Sequence, residues 1–155
     1  MNQKRRQFLA LLAALPTLPI SKVVLAQSPG TWSVHQAHAA LLEDRVRLID
    51  IRTRGEWRDT GVAKGAWPVS MHNTRFPGRL SIARELAGDR PLALICATGT
   101  RSGLVTRALR LAGHERFINV PEGMLGSGSG PGWVKAGLPV VSIDEALAAL
   151  PDTLA

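Results

Sequence analysis

The run Leu92-Ala93-Leu94-Ile95-Cys96-Ala97, introduced by Pro91, constrains the fold more than any other segment. It is wholly apolar, too short to read as a helix, and gives way at once to the small residues Thr98, Gly99 and Thr100. A run of this kind is a strand buried on both faces, and such strands belong to parallel sheets covered by helices. Beyond it Val105, Ala108, Leu109 and Ala112 fall at helical spacing with Gly113 as terminator, which predicts a helix with one buried stripe.

The same alternation runs through the rest of the chain. Ser33 with Gln36 forms a capping-box pattern ahead of Val34, Ala37, Leu41 and Leu42, so a helix is expected after Trp32. Val46 to Ile51 reads as a strand, Trp67 to Met71 as a weaker one because of Pro68, Ser81 to Ala87 as a short helix and Phe117 to Val120 as a strand. Ser142 to Glu145 heads a last helix with the stripe Ile143, Ala146, Leu147 and Leu150. These alternations predict an α/β fold with a central, mostly parallel sheet and helices on both faces, whose ligand site lies at the carboxyl ends of the strands.

The chain has 155 residues, which suits one domain of the usual range of about 100–200 residues. Its net charge of +7 suggests a nucleic-acid or membrane-surface binder, yet Lys4, Arg5, Arg6 and Lys22 stand in a leader without acids. Without residues 1–26 the charge falls to +3, and no nucleic-acid site is expected. The leader has a charged start, an apolar stretch from Phe8 to Leu18 and small or modest residues at Val24 and Ala26, the layout of an export signal cleaved after Ala26. Arg5-Arg6-Gln7-Phe8-Leu9 is similar to the twin-arginine consensus. Pro16 and Pro19 interrupt the stretch before it reaches the roughly 18–20 apolar residues of a span, so no membrane anchor is expected after cleavage. The expected organisation is a signal at 1–26, a link at 27–30 and one domain at 31–155, located in the periplasm.

Export makes the single cysteine informative. Cysteines in an oxidising compartment usually pair, and Cys96 has no partner in the chain. It stands where the strand Leu92 to Ala97 meets the following helix, ahead of Thr98-Gly99-Thr100-Arg101-Ser102-Gly103. A tight loop with two glycines turns its N–H groups inward, and with the first turn of the helix it forms an anion pocket that favours the thiolate. Arg101 adds a full positive charge at the rim. Such a thiolate is a nucleophile, and the surrounding donors can hold an incoming oxyanion.

With these residues in hand, the chain resembles a single-domain rhodanese. The resemblance rests on Leu48-Ile49-Asp50-Ile51-Arg52 followed by Glu56-Trp57, on Gly61 to Ala66, on the loop CATGTRS, on Leu111-Ala112-Gly113-His114, and on Trp133 with Gly137-Leu138-Pro139-Val140. It implies a rhodanese-like five-stranded sheet and a sulfurtransferase reaction. Sulfane sulfur would pass from thiosulfate or a related small anionic donor to a thiol or cyanide through a Cys96 persulfide, with a protein acceptor also open. It implies no cofactor and no metal. Cys96 and Arg101 would be catalytic, and Ala97, Thr98, Gly99, Thr100 and Ser102 would bind substrate. Val62-Ala63 replaces the family's usual His-Ile, and Gly126 to Gly132 forms a longer glycine-serine run than the family's compact turn. That run would be a flexible loop or a mobile wall, with His72, Met124 and Trp133 as possible pocket residues.

Rival readings share the loop. A persulfide carrier or thiol-based sensor needs the same cysteine. Phosphatases and arsenate reductases of this fold are less favoured, because phosphatases place cysteine and arginine as C-x5-R whereas Cys96 to Arg101 is C-x4-R, and no aspartate acid stands beside the loop. Asp50, Arg52 and Glu56 read as scaffold at a strand end, and His35 with His38 lacks a third metal ligand.

Overall fold

The computed structural model describes residues 30–155. The expected export signal at 1–26 and most of the link lie outside them. Helix α1 is Val34–Leu42 and starts where the sequence predicts: Ser33 Oγ accepts from Gln36 N at 3.2 Å and Gln36 Oε1 accepts from Ser33 N at 2.9 Å. Strand β1, Arg47–Asp50, leads to α2, Arg54–Thr60, which opens on a second reciprocal cap between Thr53 and Glu56. Short strands β2, Val62–Ala63, and β3, Trp67–Pro68, precede α3, Phe76–Ala87, with Pro77 in its first turn. Then follow β4, Leu92–Ile95; α4, Thr100–Leu111; β5, Phe117–Asn119; α5, Gly132–Lys135; β6, Val140–Val141; and α6, Ile143–Ala148. No helix among the described residues is long and apolar enough to cross a membrane.

The sheet has the order β3-β1-β4-β5 and is parallel throughout, with Asp50 level with Ile95 and Leu94 level with Asn119. Four strands, not the expected five, make it up among the described residues. The fifth place is held by a single bridge, Thr31 beside Asn119, with Trp32 N donating to Asn119 O and Asn119 N to Gly30 O. Ser33 caps α1 two residues later, so the chain leaves the sheet before a ladder can form. The pair β2 and β6 forms a separate antiparallel ribbon that periodicity did not reveal, since two-residue strands are too short to show a period. At the weaker strand Pro68 has no N–H, and pairing resumes beyond it through Val69 N to Asp50 O and Met71 N to Ile51 O.

Alternation along β4 divides the core. Ala93 and Ile95 pack on the α1 side with Val34, Ala37, Leu48 and Trp133, while Leu92, Leu94 and Cys96 pack on the α3 side with Ile49, Leu80, Leu150 and Leu154. Helix α4 departs from the expected stripe. Its buried residues are Ser102 and Thr106, whereas Ala108 and Ala112 are exposed and Val105 and Leu109 only half-buried. Thr106 Oγ1 donates to Ser102 O at 2.9 Å, one turn back, so its hydroxyl needs no water. The small face of α4 is what fits beneath the Cys96 loop, and the apolar stripe opens instead onto a 630 Å3 groove shared with Phe76 and Leu80 of α3.

One ion pair locks the end of β1. Asp50 and Arg52 are both 0% exposed; Arg52 Nη2 and Nε donate to the Asp50 carboxylate at 2.8 and 3.0 Å. The guanidinium also donates to Thr60 Oγ1 and Gly61 O, each at 2.7 Å, and to Glu56 O at 3.3 Å. The pair therefore clamps both ends of α2 to β1. Removing either partner strands a buried charge, so Arg52→Ala should destabilise the fold by roughly 3–5 kcal/mol in urea unfolding. A loss below about 1 kcal/mol, the usual ceiling for an exposed pair, would show that the clamp carries no weight.

Candidate active site

Cys96 is the first residue beyond β4, and α4 begins four residues later at Thr100. Two glycines let a neighbouring segment close down on the loop between them. Gly99 has φ +80°, and a Cβ there would lie 2.0 Å from Pro121 O; Gly123 has φ +67°, and a Cβ there would lie 2.4 Å from Ala97 O. The segment after Pro121 takes the outward carbonyls of the loop, with Met124 N donating to Cys96 O and Leu125 N to Ala97 O, both at 2.8 Å. In a trans peptide the N–H points opposite to the C=O, so binding Ala97 O outside turns Thr98 N–H inward.

The inward groups converge on the sulfur. Ser102 Oγ lies 3.4 Å and Ser102 N 3.5 Å from Cys96 Sγ, and the amides of Thr98 and Arg101 are also directed at it. Burial pushes the thiol up, but the Ser102 hydroxyl and the three amides outweigh it and hold the thiol below its ordinary value. Cys96 is 0% exposed, so these donors replace the water a thiolate would otherwise need. Burial alone would make a cysteine inert, but this sulfur is faced by hydrogen-bond donors.

Arg101 lies over this loop and is not a free charge. Its Nη1 donates to Glu56 Oε2 at 3.0 Å, its Nη2 donates to Glu56 Oε1, and Nη1 is 3.3 Å from His72 Nε2. The Glu56 carboxylate raises the Arg101 pKa against the opposing effect of burial, and the nearby Cys96 sulfur adds to the rise. Reciprocally, Arg101 lowers the Glu56 carboxyl from 4.5 to about 2 despite desolvation, helped by Thr53. Glu56 thus caps α2 through Thr53 and orients Arg101 with the same carboxylate. The expected scaffold role of Glu56 at a strand end is therefore incomplete: its Arg101 partner lies 45 residues away, and no local spacing reports it.

The remaining expected residues divide. Ala97, Thr98, Gly99 and Thr100 form the loop, and His72 stands at its rim beside Arg101. Met124 and Trp133 do not wall the pocket: both are 0% exposed in the core on the α1 side, across the sheet from Cys96. Trp133 Nε1 donates to Pro139 O at 2.9 Å, and its ring meets His38 edge-on at 5.5 Å. Trp133 follows Gly132 in α5, whose first turn is docked by a residue the sequence did not single out. Buried Glu122 accepts from Gly132 N at 3.2 Å and from Val34 N at 3.1 Å, joining the starts of α5 and α1. The glycine-serine run before it is a tied turn rather than a free wall, with Ser127 N donating to Gly130 O at 3.0 Å and Ser127 Oγ to Pro121 O at 2.8 Å. No three His, Cys, Asp or Glu residues gather as a metal group among the described residues.

The rhodanese-like domain family matches residues 33–126. A protein of Allochromatium vinosum named sulfurtransferase is 32% identical over 97 residues, covering 63% of this chain and 79% of its own. Among solved structures, the 30 kDa polysulfide-sulfur transferase homodimer of Wolinella succinogenes superposes with a TM-score of 0.52 at 25% identity, covering 72% of this chain and 77% of that one. Rv0390 from M. tuberculosis superposes at 0.50 with 27% identity over 73% of this chain and 97% of that one. With the matched span running from the first helix through the Cys96 loop to Gly126, the chain belongs to the rhodanese-like family.

Proposed function

We propose that the protein is a sulfurtransferase that carries sulfane sulfur as a Cys96 persulfide. The observation that carries this reading is the unexposed Cys96 Sγ ringed by the Ser102 hydroxyl and loop amides. Membership of the rhodanese-like family and similarity to a sulfurtransferase support a sulfur-transfer role. Thiosulfate or a related small sulfane anion is the proposed donor, and a thiol or cyanide the proposed acceptor. The leader at residues 1–26 supports a periplasmic setting.

In the first half-reaction the Cys96 thiolate attacks the outer sulfur of thiosulfate. A bond forms between the two sulfurs, the bond within thiosulfate breaks, and sulfite leaves with the electron pair. No proton is transferred, so the step needs no general acid. The donors of Thr98, Arg101 and Ser102 that hold the thiolate then face the persulfide, each such donor being worth about 2.7–4 kcal/mol where it meets developing charge. In the second half-reaction an acceptor thiolate attacks the outer sulfur of the persulfide. The Cys96–sulfur bond breaks, Cys96 departs as thiolate, and the acceptor leaves as a persulfide.

Arg101 and His72 mark the side from which an anion approaches, because Arg101 supplies the positive charge over the loop and His72 is exposed beside it. Glu56 acts through Arg101 and is a positioning residue.

Three outcomes check these roles. Incubation with thiosulfate should add the mass of one sulfur to the full chain and release sulfite, and Cys96→Ala should do neither; sulfite release by that variant would refute the nucleophile, and a gain of oxygens alone in the parent chain would favour a sensor. Arg101→Ala should raise the KM for thiosulfate by about tenfold or more, since hydrogen bonds to charged groups contribute about 1.5–3 kcal/mol, and an unchanged KM would remove Arg101 from the site. The folded state holds Glu56 near 2 against 4.5 when unfolded, so its carboxylate stabilises above 4.5 and that stabilisation fades as the pH falls toward 2. Glu56→Gln should therefore flatten the loss of stability across that acid window; an unaltered pH profile would show that the Arg101 pair does not form.

A further inference from the structure

A cleft of 600 Å3 opens on the His72 side of the loop, and none of the steps above uses it. Arg54 and Trp57 of α2, Arg79 of α3 and His72 line it, with Leu147 and Leu150 as apolar floor. Its lining includes no Asp or Glu, and Ala155 lies at one margin. Among the described residues neither Arg54 nor Arg79 forms an ion pair. One Nη of Arg79 donates to Leu154 O, but its Nε is buried with no acceptor.

Trp57 Nε1 is also buried with no acceptor, in a residue only 4% exposed. Three buried side-chain nitrogen or oxygen atoms lack a partner among the described residues, and two of them belong to residues lining this cleft. A lining with two arginines and a histidine and without an acid calls for an occupant that bears negative charge. The cleft size is that of a pocket for a small organic molecule, larger than cyanide or thiosulfate needs.

We propose that this cleft seats the sulfur acceptor, an organic thiol bearing a carboxylate. The inference deepens the sulfur-transfer reading and rests on it. The carboxylate lies between Arg54 and Arg79, the hydrocarbon part packs on Leu147 and Leu150, and the thiol end projects past His72 toward Arg101, whose Nη1 is 3.3 Å from His72 Nε2. The acceptor thiolate forms its bond to the outer persulfide sulfur while Cys96 leaves as thiolate, and the proton of a protonated persulfide stays on the transferred sulfur. No oxidant or reductant enters.

The test compares glutathione, which carries carboxylates, with uncharged 2-mercaptoethanol as acceptors for the full chain. Arg54 is exposed and forms no ion pair among the described residues, so its replacement is expected to leave folding intact. Arg54→Glu should raise the KM for glutathione about three- to fivefold relative to that for 2-mercaptoethanol, the size of a partly exposed ion pair. An unchanged ratio between the two acceptors would overturn the assignment. Binding of S-methylglutathione to Cys96→Ser, followed by NMR, separates the two claims: chemical-shift changes around Trp57 and Leu147 that Arg54→Glu weakens support the cleft even if no persulfide forms. No binding, or binding that Arg54→Glu does not alter, refutes the cleft whatever the fate of the persulfide.

Discussion

A thiolate shut off from water exists only where the protein replaces every hydrogen bond the solvent would have made. Cys96 meets that condition through Ser102 and the amides of Thr98 and Arg101, and much of the surrounding architecture follows from it. The loop carbonyls must point outward for the amides to point inward, so a second segment has to accept the loop's back surface. Pro121 to Leu125 does this at backbone contact distance, which is why Gly99 and Gly123 have no room for a side chain. Glu122, in the same segment, is buried against the starts of α1 and α5, so the wall that shapes the loop is itself anchored in the core of the opposite face.

A second chain of contacts carries charge toward the sulfur. Asp50 fixes Arg52 at the end of β1, Arg52 holds Glu56 O and Thr60 of α2 and Gly61 O just beyond it, and the Glu56 side chain holds Arg101. Each link uses a group whose remaining hydrogen-bonding capacity is taken up by the next. The buried pair therefore does more than compensate its own desolvation: it sets the position of the helix from which Arg101 is held. The same helix contributes Arg54 and Trp57 to the lining of the neighbouring cleft, so one element both orients the charge over the sulfur and helps shape the space beside it.

How much of this could be read from residues alone depends on how local the cause was. The buried strand Leu92 to Ile95, the Ser33 cap and the loop after Cys96 depend on neighbours a few positions apart, and they stand where the sequence puts them. The fifth strand was expected from the family pattern, but a cap two residues after Thr31 cuts it to one bridge. Helix α4 misled because periodicity identifies an apolar stripe without saying what lies opposite it; the space beneath the loop admits only Ser102 and Thr106, and the larger residues face a groove. Trp133 and Met124 flank the glycine-serine run expected to wall the site, yet they enter the core on the face opposite Cys96, since sequence order does not tell which side of a sheet a side chain enters. Glu56 and Arg101 meet across 45 residues, a distance at which no single-sequence spacing rule applies.

The central claim, that donors in the Cys96 loop stabilise sulfur as an anion, is tested most directly by the rate of Cys96 alkylation with iodoacetamide as a function of pH. The account predicts an inflection below that of an unperturbed cysteine, moved upward by Ser102→Ala, which removes the hydroxyl 3.4 Å from the sulfur. An inflection at or above the ordinary thiol value, indifferent to the loss of Ser102 Oγ, would mean that burial dominates and that the loop does not prepare a nucleophile.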